Sequence, residues 1–139
     1  MQTSGTENAE LLSWLSRLSD LATFAQIAKK EEDGRYVEAL AELLQTMPAR
    51  AEPHGFFATP SNRIKELLST HAFDALAIVL IPEAIDYTLS YSKKEGHIAL
   101  FRRRDSQIEV ILRGKSLTLL LVAGIAQMIY ECRFEIINS

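Results

Sequence analysis

From Leu117 to Ala126 the chain has no charged side chain and only one polar one, Thr118. A segment of that kind must be surrounded. It is helical in length if followed to Phe134, and its first half is apolar all round rather than along one stripe. A helix without a polar face is enclosed by protein or by lipid. The unbroken run stops at Gln127, short of the roughly 18 to 20 residues that a bilayer needs. An enclosed helix over Leu117–Phe134, and no membrane partner, is therefore expected. Ser116 stands where a cap belongs. Ala123, Gly124 and Ala126 leave room for close approach. Glycine inside a helix costs about 1 kcal/mol against alanine, so Gly124 marks tight packing, against a sheet or against a second copy.

The residues just before this run read as strands. Ile85 to Ser92 alternates apolar or aromatic side chains with small polar ones, as a half-buried strand does. Lys93-Lys94-Glu95-Gly96 supplies a turn, with Gly96 free to take positive φ. His97–Arg104 and Gln107–Arg113 follow as second and third strands, and such short connections imply an antiparallel meander. Tyr87, Leu89, Tyr91, Ile98, Leu100, Ile108, Val110 and Leu112 are assigned to one face. On the other, Ala99, Phe101 and Ile111 interrupt the polar row of Thr88, Ser90 and Glu109, so that face is expected to be covered by the N-terminal hairpin or by another protomer.

Upstream the pattern is helical. After a loose leader at residues 1–7, Asn8 is a reasonable cap for a helix from Ala9 to about Glu32. Leu11, Leu15, Leu18, Ala22 and Ala25 form its apolar stripe, widened by Trp14 and Leu21. Asp33-Gly34 ends it, and Arg35–Met47 makes a second helix stopped by Pro48, so the two form an αα-hairpin. Residues 48–59 are an irregular connection in which Phe56 and Phe57 are expected to tuck inward. Thr59-Pro60 opens a third helix that runs to just before Pro82. Its last part, Ala75–Ile81, also fits a buried strand, and helix is the favoured reading. The expected fold is thus α+β, in the order ααα-βββ-α. It forms one domain over residues 1–139, with a helical hairpin and loop over 1–58 and an α-βββ-α core over 59–139.

Over roughly Pro60 to Phe134 the helix–strand–strand–strand–helix order resembles that of double-stranded-RNA-binding domains. That family grips phosphates with lysines at the start of its last helix. The matching positions here are Leu117, Thr118, Leu119 and Leu120, so the resemblance carries element order and not RNA binding.

No motif with a chemical mechanism is complete in the chain. Gly114-Lys115-Ser116 sits between strand and helix like part of a phosphate-binding loop, but the first glycine of that pattern would fall at Glu109; a turn and a cap explain the triplet. His71 and Asp74 would share a helix face, a geometry that can orient a base, yet no nucleophile is tied to them. The three histidines, at 54, 71 and 97, lack ligand spacing for a metal. Cys132 is the only cysteine, which excludes an internal disulfide and a zinc cluster; a partly buried, inert thiol is the expected role. No cofactor is expected, nor catalysis. The start of the chain shows no basic, then apolar, signal pattern, and a cytoplasmic location is expected.

Charge is the remaining signal. The formal net charge is −3, which argues against a general nucleic-acid binder. From Lys93 to Lys115, however, seven basic residues (Lys93, Lys94, Arg102, Arg103, Arg104, Arg113 and Lys115) face three acidic ones, while residues 1–60 hold nine acidic against five basic. This basic sheet edge either contacts an anion or a partner, or is neutralised internally. The function expected is a small non-enzymatic interaction module, an adaptor, regulator or inhibitor that also self-associates. Its interface would include Phe101, Ile111, Ala99 and Gly124. The alternative is a nucleic-acid-binding regulator working through the basic edge.

Overall fold

The computed structural model of the protein describes residues 5–56 and 60–138. Among these the elements run α1 (Gly5–Ile27), α2 (Asp33–Gln45), α3 (Ser61–Ser69), α4 (Phe73–Val79), β1 (Ile85–Ser92), β2 (Gly96–Arg103), β3 (Glu109–Gly114), α5 (Leu117–Glu131) and α6 (Arg133–Ile137). Short 3₁₀ turns lie at Lys30–Glu32 and Glu52–His54. The fold is α+β, and α5 is its axle. The Ser116 hydroxyl accepts the Leu119 amide at 3.2 Å and starts the helix, a cap worth about 1 kcal/mol. β2 and β3 lie on one side of α5 and α1 on the other, with α2 and α4 closing the flanks. Eleven of its fifteen residues are buried, which accounts for a helix with no polar stripe. The core is one connected cluster from Leu11 to Ile136.

Several boundaries differ from the expected ones for identifiable reasons. α1 begins at Gly5, inside the stretch read as a leader, and ends at Ile27 rather than near Glu32. At Lys29 the backbone turns extended, and the Glu32 carboxylate accepts the Lys29 amide at 3.1 Å, starting a new turn. Phe56 is fully buried, as expected; Phe57 and Thr59 lie outside the described residues. Residues 75–79 are helical.

The single helix expected from Pro60 to Pro82 is in fact two, α3 and α4. Ser69 and Thr70 hydroxyls donate back to the Glu66 carbonyl at 2.8 and 3.1 Å. The Ala72 amide then reaches the Leu67 carbonyl at 3.0 Å and the His71 amide the Leu68 carbonyl at 3.1 Å. This is a Schellman ending, with His71 at φ 55° in the left-handed position that glycine usually fills. His71 and Asp74 therefore do not share a helix face. His71 stacks on Phe73 with centroids 5.4 Å apart, and Asp74 accepts a hydrogen bond from the buried Thr118 hydroxyl across the core.

The sheet order is β1-β2-β3, antiparallel throughout. Its register corrects the face assignment. Tyr87 pairs with Phe101 and Phe101 with Val110; Leu89 pairs with Ala99 and Ala99 with Leu112. Cross-strand partners share a face, so Ala99 and Phe101 stand on the inner face, against α5. Ile98 and Leu100 instead join Thr88, Ser90 and Ile111 on the outer one. The N-terminal hairpin covers the far side of α5, not the outer sheet face. At the end of α5 the Arg133 guanidinium donates to the Tyr130 carbonyl at 3.2 Å. The chain turns at Cys132 into α6, which buries Ile136 and leaves Phe134 exposed.

Candidate functional site

Four of the seven basic residues are paired with acids. Arg102 meets Glu109 at 2.9 Å, Arg103 meets Glu135 at 2.6 Å, Arg104 meets Asp86 at 2.9 Å, and Arg113 approaches Glu95 at 4.0 Å. Register also divides them, since Arg103 lies on the inner face while Arg102 belongs to the outer one. Arg104 holds the Asp86 carboxyl below the usual carboxylate range, and Asp86 raises Arg104 in return. Lys93, Lys94 and Lys115 carry no acid partner among the described residues, and they sit in two different turns.

Arg103 belongs to a knot that no local pattern in the chain announces. Its guanidinium lies over the Phe56 ring, 5.3 Å from the centroid, and grips Glu135, whose Oε1 is also 3.3 Å from His54 Nδ1. His54 from the 48–59 connection, Arg103 from β2 and Glu135 from α6 border an open cleft of about 570 Å³. His54 Nε2 is buried without a hydrogen-bond partner among the described residues. A carboxylate-backed imidazole is half of a base-catalysis arrangement, but Arg103 takes the stronger contact with the carboxylate, and the hydroxyl of Ser106, on the cleft wall, accepts the Ile108 amide at 3.1 Å. The cluster ties α6 to β2 and to the preceding connection.

Arg103 first, then His54, holds the Glu135 carboxyl below its ordinary range. The sign follows from linkage. A carboxyl whose folded pKa lies below the roughly 4.3 of a free glutamate stabilises fully above that value and loses the contribution as pH falls through the folded one. Glu135→Gln is expected to cost about 1 kcal/mol at neutral pH, the scale of a partly exposed pair. Urea unfolding should show the gap to wild type narrowing below about pH 4; a gap that stays constant into acid would remove the ion pair as its cause.

Cys132 is buried, and desolvation first, with Glu135 second, pushes its thiol up to about 11. It is not a thiolate at neutral pH. Gly114-Lys115-Ser116 is a strand end and a cap. Among the described residues no group of three metal-ligating side chains converges, and no helix is long and apolar enough to cross a membrane.

Of the expected interface residues, Ala99 and Phe101 are fully buried within the chain. Gly124 packs beneath Phe101, so its missing side chain serves the sheet rather than a second copy. Ile111 is 60% exposed on the outer face.

What remains open is β1. It is an edge strand of eight residues with only Ile85 buried and Leu89 half-buried. Tyr87 and Tyr91, on the inner face, extend beyond the cover of α5 and are 45% and 63% exposed. Between β1 and α4 lies an open cleft of about 700 Å³ with Ile78, Ile81 and Tyr87 on its walls. From Tyr87 to Ser92 the strand has no charge and no proline, the devices that usually protect a free edge.

No known family model, no curated protein and no solved structure matches the chain. The resemblance to double-stranded-RNA-binding domains therefore stays one of element order. Thr118, Leu119 and Leu120, where that family's lysines would stand, are buried.

Proposed function

We propose that this chain is a non-enzymatic protein-interaction module of the cytoplasm, an adaptor, regulator or inhibitor whose contacts include a second copy of itself. The observation that carries the reading is the unguarded β1 edge, flanked by exposed Tyr87 and Tyr91. Such an edge is a ready template for another strand, with main-chain hydrogen bonds giving affinity and alternate side chains giving selectivity. The apolar outer-face residues Ile98, Leu100 and Ile111 lie on the same sheet and widen the surface. The nucleic-acid reading draws on the same strands but loses its charge, because Arg102, Arg103 and Arg104 each hold a carboxylate at 2.9 Å or less.

A photo-crosslinking residue placed at Tyr91, compared in cells with one at exposed Glu66 on α3, tests the module. Protein adducts are expected at position 91 and not at 66. Equal labelling, or none at 91, would sink the reading. Binding to duplex RNA and DNA across a salt series tests the rival. No binding is expected at about 50 mM salt, where phosphate contacts are strongest, whereas binding that weakens steeply with added salt would favour a nucleic-acid regulator.

A further inference from the structure

The sequence of β1 is a chemical palindrome. Tyr87-Thr88-Leu89-Ser90-Tyr91 reads aromatic, hydroxyl, leucine, hydroxyl, aromatic in either direction. We infer that the β1 edge pairs with β1 of a second copy, antiparallel about a two-fold axis at Leu89, joining two three-stranded sheets into one of six strands. This rests on the interaction-module reading and names its partner. A two-fold contact must be self-complementary, each residue i meeting j as j meets i. Centred on Leu89, the register places Tyr87 opposite the partner's Tyr91, Thr88 opposite the partner's Ser90, and Leu89 opposite the partner's Leu89.

Each pairing is favourable in kind. On the inner face two Tyr–Tyr pairs flank a Leu–Leu pair, and on the outer face hydroxyls meet hydroxyls; such cross-strand pairs stabilise a sheet. The inner-face residues are those the chain itself leaves uncovered, with Tyr91 63% and Tyr87 45% exposed. Opposite Tyr87, the partner's Tyr91 reaches the cleft walled by Ile78 and Ile81. No like charges meet at the ends: Asp86 falls opposite the partner's Ser92, and Lys93 opposite the partner's Ile85. Any register shifted by one residue would put Tyr87 against the partner's Ser90 or Ser92, so that one copy's aromatic row would share a face with the other's hydroxyl row.

The size of the contact indicates its strength. The exposed parts of four tyrosines amount to about 400 Å². Leu89, Ile78, Ile81 and the two strand backbones bring the total to the order of 1,000 Å², the lower end for a specific interface and the range of reversible association.

Light scattering from about 1 to about 100 µM, a span that brackets a micromolar dissociation constant, should show mass rising toward twice the 15.6 kDa of one chain. Tyr91→Lys, at an exposed position, should hold the mass at one chain with an unchanged circular dichroism spectrum. Leu89→Cys fixes the register. Across the axis the two new thiols stand about 5 Å apart at Cβ and should join under mild oxidation, whereas Ser92→Cys, paired with the partner's Asp86, places its thiols about 20 Å apart and should not. The buried Cys132 does not interfere. A strict monomer at the highest concentration, or a dimer that links at 92 and not at 89, overturns the pairing. Crosslinks from Tyr91 to other proteins would survive either result, so loss of this inference is separable from loss of the module.

Discussion

Gly124→Ala should destabilise the protein by about 1–3 kcal/mol, although alanine is the better helix former. At a solvated helix position the same change would stabilise by about 1 kcal/mol. Here a methyl group would stand 2.6 and 2.8 Å from Cζ and Cδ2 of Phe101 and nearer still to Cε2. Phe101 is fully buried and has no room to withdraw, being held between Tyr87 and Val110 across the sheet. Either the ring leaves its rotamer or α5 lifts from β2, and overpacking of that kind outweighs the propensity gain. Phe101→Ala, the opposite change, empties the same contact and should cost about 3–5 kcal/mol. The pair is then diagnostic. Gly124→Ala combined with Phe101→Leu should lose less than the two single changes added together, with a coupling of about 0.5–3 kcal/mol. Urea titrations of all four proteins, followed by Trp14 fluorescence, measure it. A Gly124→Ala protein as stable as wild type would mean that α5 does not press on the sheet at this point.

That contact was half legible in the chain. An all-round apolar helix containing Gly124 implies close approach by something, and Ile85–Ser92 emerges as a strand with the expected bounds. What the helix would meet was hidden, because His97-Ile98-Ala99-Leu100-Phe101 has apolar side chains in succession rather than in alternation. A strand that does not alternate does not declare its faces, and a shift of one residue exchanges them all. The pairing of Ser92 with Gly96 settles the register, and with it Phe101 turns inward. The break at His71 was hidden for a different reason. Neither glycine nor proline marks it, and the only local trace is the pair of hydroxyls Ser69-Thr70 that bond back into α3.

Which acids meet the basic residues is not legible in the chain, because counting charge along it ignores what folding brings to it. Glu109 reaches Arg102 from the neighbouring strand, and Glu135 reaches Arg103 from a helix 32 positions later. His54 and Glu135 are 81 positions apart, beyond any spacing rule. The β1 edge, by contrast, is written in the chain. Its five central residues show both the alternation and the lack of charge; only its place at the end of the strand order β1-β2-β3 had to come from the fold.

Trp14→Ala is expected to cost about 3–5 kcal/mol, comparable with the loss at Phe101, but to weaken a different layer. Trp14 is buried in α1, and its indole Nε1 donates to the Leu43 carbonyl in α2 at 2.8 Å. It is the chain's single tryptophan and the side-chain tie between the two arms of the hairpin, each of which also rests on α5. Trp14→Phe separates the two roles. Most of the packing is kept, while the carbonyl loses its indole donor and keeps a long 3.4 Å contact from Thr46 Oγ1; about 1–3 kcal/mol is expected from that alone. Because both variants lack the fluorophore, unfolding is followed by circular dichroism. Hydrogen exchange then localises the damage. Amides of α2 should exchange faster in Trp14→Ala while those of α5 follow the global loss, since α5 keeps the sheet on its other side. If α2 and α5 amides instead lose protection equally at low denaturant, the hairpin and the sheet layer open as one unit, and the helical hairpin has no stability separable from the core it covers.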